Sequence, residues 1–388
     1  MKRMATIVAA AVLALALGGA ALAQEIRVGV LSDLSGATSA VGVPYAEGIK
    51  AAVEHINAQG GIEGRPLAIS QVDYAYNVQQ ALAAYKRFKA EGMVALQGWG
   101  TADTEALTRF VAKDEIPTWS ASYSAHLTDP AVAPYNFFVC ADYSTQMRAA
   151  LKFLRDGWTG DRAPRVAFVF PDHPYGLSPI QAGRDYAAEL GFEIVGQENV
   201  DLKAMDATTQ LLALQKLAPD FCWIGGTTPS TAVILKDARK LGMKTVFFVN
   251  IWGNDESLID LAGEAAEGVY GLQGAAAYGD AAPGAALIRG LTGGKPVMTH
   301  YLRGFASTLV MAEAMRLAAR AGSLDGPGIR AAAETMRGYD PLGLTPPVSY
   351  FPDDHRATMS VIIYRVQGGA LVKVASPELE RKAEWLGK

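Results

Sequence analysis

Short apolar runs rich in β-branched and aromatic residues alternate along this chain with longer segments of helical periodicity. The apolar runs predict strands at 26–31, 66–73, 93–98, 116–121, 165–170, 192–197, 221–226, 245–250 and 268–273. The intervening segments predict helices at 45–58, 78–91, 103–113, 144–155, 175–190, 207–217, 230–241 and 256–262. Near-continuous apolar strands separated by helices are typical of parallel sheets covered on both faces. The predicted fold class is therefore α/β.

The alternation is interrupted twice. It stops between Thr128 and Tyr143, where the sequence is irregular and Pro-rich, and it restarts at Arg165. A loose Gly/Ala/Pro stretch, GAAAYGDAAPGA, follows residue 273 and indicates a second crossover. Two α/β lobes are therefore expected, with the chain passing between them. Beyond this crossover the pattern predicts helices at 299–321 and 326–337 and a β-hairpin around Gly368-Gly369.

The first residues have the pattern of a secretory signal peptide. Lys2 and Arg3 precede an apolar run, which ends in Ala21-Leu22-Ala23, a small-x-small cleavage pattern. We therefore expect residues 1–23 to be removed on export. The alternative is a membrane anchor, because the run from Met4 to Ala23 is nearly long enough to span a bilayer. The residue directly after the expected cleavage site is not a cysteine, so no lipid anchor is expected.

Charge and cysteine content narrow the function classes. The formal net charge is −4 and no basic run is present, which argues against a nucleic-acid partner. The two cysteines, Cys140 and Cys222, each lie in a strand-like apolar run. We favour two buried thiols over a disulfide, because a disulfide requires a close approach of the two Cα atoms.

Enzyme motifs are absent from the sequence. It contains no GxSxG, HExxH, GxxxxGK[ST] or CxxC pattern, and its five histidines show no metal-ligand spacing. Asp172 and His173 form the best available acid/base pair, but no nucleophile lies near them in the sequence. We therefore predict no catalytic residue, no metal site and no cofactor.

Candidate binding residues follow the predicted strands. Ligands of open parallel sheets bind beyond the carboxyl ends of the strands. Three such turns, at Ser35-Gly36, 98–101 and 120–124, combine glycines with hydroxyl groups before a helix or loop. Free N–H groups at a helix start favour an anion, and glycines allow close approach. Any one turn could instead be ordinary capping, but their convergence on one sheet edge predicts a carboxylate site. Aromatic residues in the same kind of turn suit an apolar wall: Trp99, Tyr123, Tyr175 and Trp252.

Several segments resemble one protein family. Residues 26–73, and INAQGGIEGRPL at 56–67 above all, are similar to the N-terminal signature of Leu/Ile/Val-binding proteins. These are type I periplasmic solute-binding proteins of ABC importers. The resemblance continues through PYG at 174–176 and KLGMKTVFF at 240–248.

The resemblance implies two Rossmann-like lobes, joined by a multi-strand hinge, that close on a ligand. The N-terminal lobe would comprise residues 24–141 and 274–345, and the C-terminal lobe residues 142–273 and 346–388. The turns after the third and fourth strands would hold a ligand carboxylate. The predicted ligand-binding residues are Ser35, Trp99, Gly100, Thr101, Ala102, Ser122, Tyr123, Ser124, Tyr175, Trp252 and Asp255.

The chain departs from the family pattern at two positions. Val41 stands before Gly42, where the family often has an aromatic residue. Amino-acid-binding members place an acidic residue where Ile251 stands, and it pairs with the ligand ammonium. Asp255 and Glu256 come slightly later and could substitute for it, or could simply begin the following helix. A buried ammonium without an anion is costly, so we expect a hydrophobic or aromatic organic acid rather than an α-amino acid.

The sequence thus predicts a monomeric periplasmic protein that binds a small carboxylate-bearing ligand and delivers it to an ABC transporter permease. Branched-chain or hydrophobic amino acids remain alternative ligands. A ligand-sensing subunit that docks on a membrane receptor is the alternative function. An exported enzyme on the same fold, using Asp172 and His173, is a weaker one.

Overall fold

A computed structural model describes residues 24–388, so the predicted signal peptide, residues 1–23, lies outside the described residues. The first sheet contains five parallel strands in the order β2-β1-β3-β4-β5. These strands are β1 (Ile26–Ser32), β2 (Leu67–Asp73), β3 (Ala95–Gly98), β4 (Thr118–Ser120) and β5 (Asn136–Phe137). The helices that connect them are α1 (Ser39–Ala58), α2 (Val78–Ala90) and α3 (Thr101–Asp114).

The second sheet contains seven strands in the order β12-β11-β10-β9-β8-β6-β7. Five of them run parallel, and β11 and β12 form an antiparallel hairpin at one edge. The strands are β6 (Arg165–Phe170), β7 (Glu193–Asn199), β8 (Phe221–Ile224), β9 (Val246–Val249), β10 (Tyr270–Gln273), β11 (Ile362–Gln367) and β12 (Ala370–Ala375). The associated helices are α4 (Tyr143–Asp156), α5 (Pro174–Leu177), α6 (Ile180–Glu189), α7 (Thr208–Leu217), α8 (Thr228–Lys240) and α9 (Glu256–Ala262).

Beyond β10 the chain returns to the first lobe. It forms α10 (Pro283–Leu291), α11 (Thr299–Arg320) and α12 (Gly326–Ala333), and α11 packs along α1. The segment before β11 also lies on the first lobe, because the His355 ring stacks on Phe137 at 4.4 Å and the Tyr350 hydroxyl donates to the Phe138 carbonyl. The division into lobes stays a proposal, but its last boundary, predicted at 345/346, does not fit these contacts of Tyr350 and His355. We therefore move the proposed last crossover to between His355 and β11.

Three helices differ from the sequence-based prediction. Helix α1 begins at Ser39 and includes Pro44, which removes only one backbone donor near the helix start. The helix predicted at 175–190 is divided into α5 and α6 at Pro179, because proline favours a helix start over a helix interior. Helix α10 was not predicted, since its Pro283-Gly284 start continues a loose Gly/Ala/Pro stretch.

The two cysteines are both free and buried, which confirms the prediction of two separate thiols. Cys222 lies in β8 inside the second lobe, and burial raises the pKa of its thiol. Cys140 lies in the first crossover and donates to the Gly274 carbonyl in the second crossover, at 3.2 Å. None of the helices in residues 24–388 combines the length and apolar composition that a membrane crossing needs.

Candidate ligand-binding cleft

A small cavity lies between the two lobes, where the carboxyl ends of both sheets meet. The space that the centre of a water-sized sphere can occupy inside it is about 20 Å³, roughly enough for one water molecule, so the lobes are tightly closed in this arrangement. Five predicted site residues line it: Trp99, Gly100, Thr101, Tyr175 and Trp252. Six further lining residues were not predicted: Thr38, Val41, Tyr76, Ala121, Tyr143 and Thr227. None of these eleven side chains carries a charge at neutral pH.

The other predicted residues do not line the cavity. Ser35 is exposed, and its hydroxyl donates to the Asp73 carboxylate at 2.7 Å. In this first turn, Thr38 lines the cavity instead of Ser35. Ala102 is half-buried in the first turn of α3. Three residues of the β4 turn are buried behind the cavity wall: Ser122, Tyr123 and Ser124. Their roles in binding, like those of the lining residues, stay predictions.

The start of α3 forms the first polar end of the cavity. Gly100 precedes this helix, and its N–H contacts the Asp103 carboxylate and the Tyr74 hydroxyl, each at 3.2 Å. The next two N–H groups, of Thr101 and Ala102, have no acceptor within the helix. The Thr101 hydroxyl accepts from the Ser122 hydroxyl at 2.9 Å, so its own hydrogen is available to a ligand. This helix start therefore offers up to three donors to an anion.

The start of α8 forms the second polar end, on the opposite lobe. Thr227 precedes α8, and its buried hydroxyl has no hydrogen-bond partner among residues 24–388. The neighbouring Tyr175 hydroxyl donates to the Gly226 carbonyl at 2.9 Å and accepts from Asn250. Tyr175 therefore presents its ring rather than its hydroxyl to the cavity. The positive ends of two helix dipoles thus face the same small space.

Two tryptophans from opposite lobes form the apolar wall. The rings of Trp99 and Trp252 meet edge to face with their centroids 5.1 Å apart. The Trp99 indole N–H donates to Thr38 Oγ1 and the Trp252 indole N–H donates to the Tyr143 hydroxyl, both at 2.8 Å. With these donors bonded to protein, only the apolar ring surfaces are free to contact a ligand.

A second aromatic contact crosses the cleft beside the tryptophans. The Tyr76 ring, which follows β2, stacks on the His173 ring, which precedes α5, with centroids 5.3 Å apart. Together with the tryptophan pair, this contact joins the lips of the two lobes. The structure therefore represents the closed arrangement of the lobes.

The pKa values of two buried carboxyl groups near the cleft are shifted in opposite directions. Burial raises the pKa of Asp103 to about 7, although hydrogen bonds from Tyr74 and the backbone oppose the shift. Burial also acts to raise the pKa of Asp255, but His300 Nε2 at 2.8 Å, Ser257 and Thr228 hold it below its usual value. Asp255 thus caps α9 and pairs with His300 instead of lining the cavity.

Some of the missed lining residues carry a recognisable sequence signal, and others do not. Thr227 follows β8 in a Gly-Gly-Thr-Thr turn, the same pattern that singled out the turns after β3 and β4. Tyr76 follows β2 in a turn where Ala75 and Tyr76 adopt φ of 49° and 57°, and no glycine marks this conformation. Tyr143 comes from the start of α4 after a crossover, so the strand-end rule does not reach it.

Known proteins with a similar sequence identify the family of this chain. Residues 25–370 match the family model for periplasmic binding proteins. The chain belongs to the periplasmic binding protein family. This confirms the resemblance inferred from the sequence, and it places the chain among solute-binding proteins rather than enzymes.

Individual members of the family are similar over most of the chain. The Leu/Ile/Val-binding protein of Escherichia coli K12 is 29% identical over 259 residues, which cover 66% of this chain and 70% of that protein. An ABC transporter substrate-binding protein of Aeropyrum pernix has a TM-score of 0.87 at 29% identity and covers 94% of this chain and 98% of its own. A fatty acid ABC transporter substrate-binding protein of Thermomonospora curvata has a TM-score of 0.83 at 20% identity, with coverages of 92% and 93%. The type I periplasmic binding protein fold is therefore confirmed.

Proposed function

We propose that this periplasmic binding protein captures a small carboxylate with a hydrophobic or aromatic body between its lobes and delivers it to an ABC transporter permease. One observation carries the proposal. The closed cavity has aromatic walls and two helix N-termini, and none of the described side chains that line it is charged. We also propose that the protein acts as a monomer and that residues 1–23 direct its export.

The carboxylate would bind at the start of α3. The N–H groups of Thr101 and Ala102 and the Thr101 hydroxyl supply donors, and the helix dipole favours a negative charge there. Thr227 can add a hydroxyl from the opposite lobe, where its oxygen is buried and unpartnered. A ligand that bonds to both helix starts holds the lobes together, which stabilises the closed state over the open one.

The opposite end of an α-amino acid finds no counter-charge in this cavity. Ile251 is buried at the position where an acidic residue would pair with the ammonium, and its carbonyl accepts from Arg303. Asp255 is fully buried and bonded to His300, Ser257 and Thr228. Burial of an unpaired ammonium is costly, so a desamino acid fits better. The name of the Escherichia coli relative supports amino acids, whereas that of the Thermomonospora curvata neighbour supports apolar acids.

Matched ligand pairs test this proposal by thermal unfolding. The mature protein, stripped of bound ligand, is heated with phenylalanine or 3-phenylpropanoate, and with leucine or 4-methylpentanoate. Each pair differs only in the α-ammonium group. A ligand at a hundred times its dissociation constant stabilises the folded state by about 2.7 kcal/mol, which is a readily measured shift. We expect stabilisation by the desamino acids alone.

The other outcomes contradict parts of the proposal. Stabilisation by the amino acids alone would show that the cleft contains a site for the ammonium group. The lack of an acidic side chain at Ile251 would then not prevent amino-acid binding. No stabilisation by any of the four compounds would contradict the proposed ligand class while leaving the family assignment intact.

A further inference from the structure

A fully buried arginine lies behind the cavity wall and forms no salt bridge with any residue that the structure describes. Arg303, on α11, has no exposed surface, and its Nη2 donates to the Ile251 carbonyl at 3.1 Å and to Gln273 Oε1 at 2.9 Å. Its Nε and Nη1 atoms have no hydrogen-bond acceptor in the described residues. The salt bridges made from α11 involve Arg316 and Arg320 instead.

The charge on this guanidinium is close to the ligand cavity. The guanidinium carbon lies 4.4 Å from the centre of the Trp252 ring, and Trp252 lines the cavity. Burial raises the pKa of the lining residues Tyr143 and Tyr175, and the charge of Arg303 acts in the opposite direction on both. Its field therefore reaches the space that a ligand would occupy.

Neither His300 nor Asp255, the ionisable groups near Arg303, forms an ion pair with its guanidinium. His300, one turn earlier on α11, is held neutral because burial lowers its pKa. The carboxylate of Asp255 bonds to His300 and to α9, and not to Arg303. A buried cation without an adjacent anion is costly, and a bound anion would offset that cost.

We infer that Arg303 is a specificity-determining residue, whose charge selects ligands with a net charge of −1 over zwitterionic amino acids. The inference rests on the proposed function and deepens it. A zwitterion gains little from this charge, because attraction of its carboxylate is opposed by repulsion of its ammonium. A monocarboxylate keeps the full attraction to the Arg303 charge. The low-dielectric surroundings screen this attraction less than water would.

Three variants separate this role from a structural one. Arg303→Met removes the charge but keeps an apolar side chain beside Trp252, and Arg303→Lys keeps the charge. Arg316→Met is the matched control, because it removes a cation from the same helix that is already paired with Glu313. Calorimetry measures the dissociation constants of 3-phenylpropanoate and phenylalanine for each protein. Unfolding of the ligand-free proteins is measured in parallel.

We expect Arg303→Met to bind 3-phenylpropanoate about tenfold more weakly or worse, with little change for phenylalanine. Arg303→Lys should keep most of the preference, and Arg316→Met all of it. The ligand-free Arg303→Met protein should be as stable as the wild type or more so, because it lacks an unpaired buried charge.

Several results would overturn the inference. Arg303→Met could keep the wild-type preference for 3-phenylpropanoate, or it could bind both compounds more weakly by the same factor. Either result would assign Arg303 a purely structural role, and the proposed function would stand. A wild-type protein that prefers phenylalanine, or that binds neither compound, would contradict the proposed ligand class, and the inference would fail with it.

Discussion

Asp103 is the acidic residue closest in sequence to the proposed anion site. Its carboxyl group accepts hydrogen bonds from the Gly100 N–H and from the Tyr74 hydroxyl, the latter at 2.8 Å. Ionised, it would repel a carboxylate bound at the same helix start. Because burial raises its pKa to about 7, the group is largely protonated in mildly acidic solution. The folded state therefore holds a proton between about pH 4 and 7 that the unfolded state has released.

Asp103→Asn should remove this pH dependence. Since the folded pKa exceeds the unfolded one, the wild type loses stability as pH rises towards 7, by about 1.4 kcal/mol per unit where only the folded state binds the proton. Relative to the wild type, Asp103→Asn should therefore gain about 2.6 kcal/mol in unfolding free energy between pH 5 and pH 8. Urea unfolding at both pH values measures this difference.

The exposed Asp260 provides the matched control. Asp260→Asn should change the unfolding free energy by at most about 0.5 kcal/mol, the usual range for an exposed surface substitution. A loss of stability in Asp103→Asn that is equal at pH 5 and pH 8 would contradict the account, because it would show that capping requires the ionised carboxylate.

Individual site residues were predictable where a simple rule applied. Trp99, Gly100 and Thr101 follow directly after β3, so the rule that ligands bind at strand ends located them. Ser35 occupies such a turn as well, but its hydroxyl faces Asp73. Sequence position cannot specify side-chain direction within an irregular turn, and that direction separates Thr38, which lines the cavity, from Ser35.

At the scale of elements, the close packing of α1 on α11 positions several groups around the cavity. A Cβ atom on Gly48 would overlap the Tyr301 carbonyl, and one on Gly304 would overlap the Tyr45 carbonyl. The two helix backbones therefore approach each other closely, which only glycine permits at these positions. Arg303 and Tyr45 lie beside this crossing, so its geometry sets their distance from Trp252.

Gly304→Ala should destabilise the protein by about 1 to 3 kcal/mol, the usual cost of an added methyl group in a fully packed contact. Gly290→Ala, on α10, is the control because a Cβ atom there meets no neighbour. It should stabilise the protein by up to about 1 kcal/mol through improved helix propensity. Urea unfolding measures both effects. A Gly304→Ala protein as stable as Gly290→Ala would show that the helices separate without cost.

The elements themselves were largely predictable from periodicity. The apolar runs at 221–226 and 245–250 became β8 and β9, and the Gly368-Gly369 turn connects β11 to β12. Prolines caused the main errors, because their effect depends on position within a helix. Pro44 is tolerated inside α1, whereas Pro179 precedes α6. The residue type is the same, so residue type alone does not decide between these outcomes.

At the scale of the whole molecule, the proposed binding site forms only when the two lobes meet. Trp99 and Tyr76 belong to the first lobe, and Trp252 and His173 belong to the second. Binding energy from a ligand in contact with both lobes therefore shifts the population towards the closed state. A permease could then recognise the joined lips of the lobes. The sequence predicted two lobes, but it could not show which side chains meet across them, since those contacts depend on the closure angle.

A crystal structure of the protein with its most stabilising carboxylate would test the central claim most directly. We predict a ligand oxygen about 2.7–3.2 Å from the backbone nitrogens of Thr101 and Ala102. The hydrophobic body should lie against Trp99 and Trp252, with no acidic side chain near it. A carboxylate bound elsewhere, or a ligand ammonium paired with an Asp or Glu that has moved into the cleft, would contradict the account.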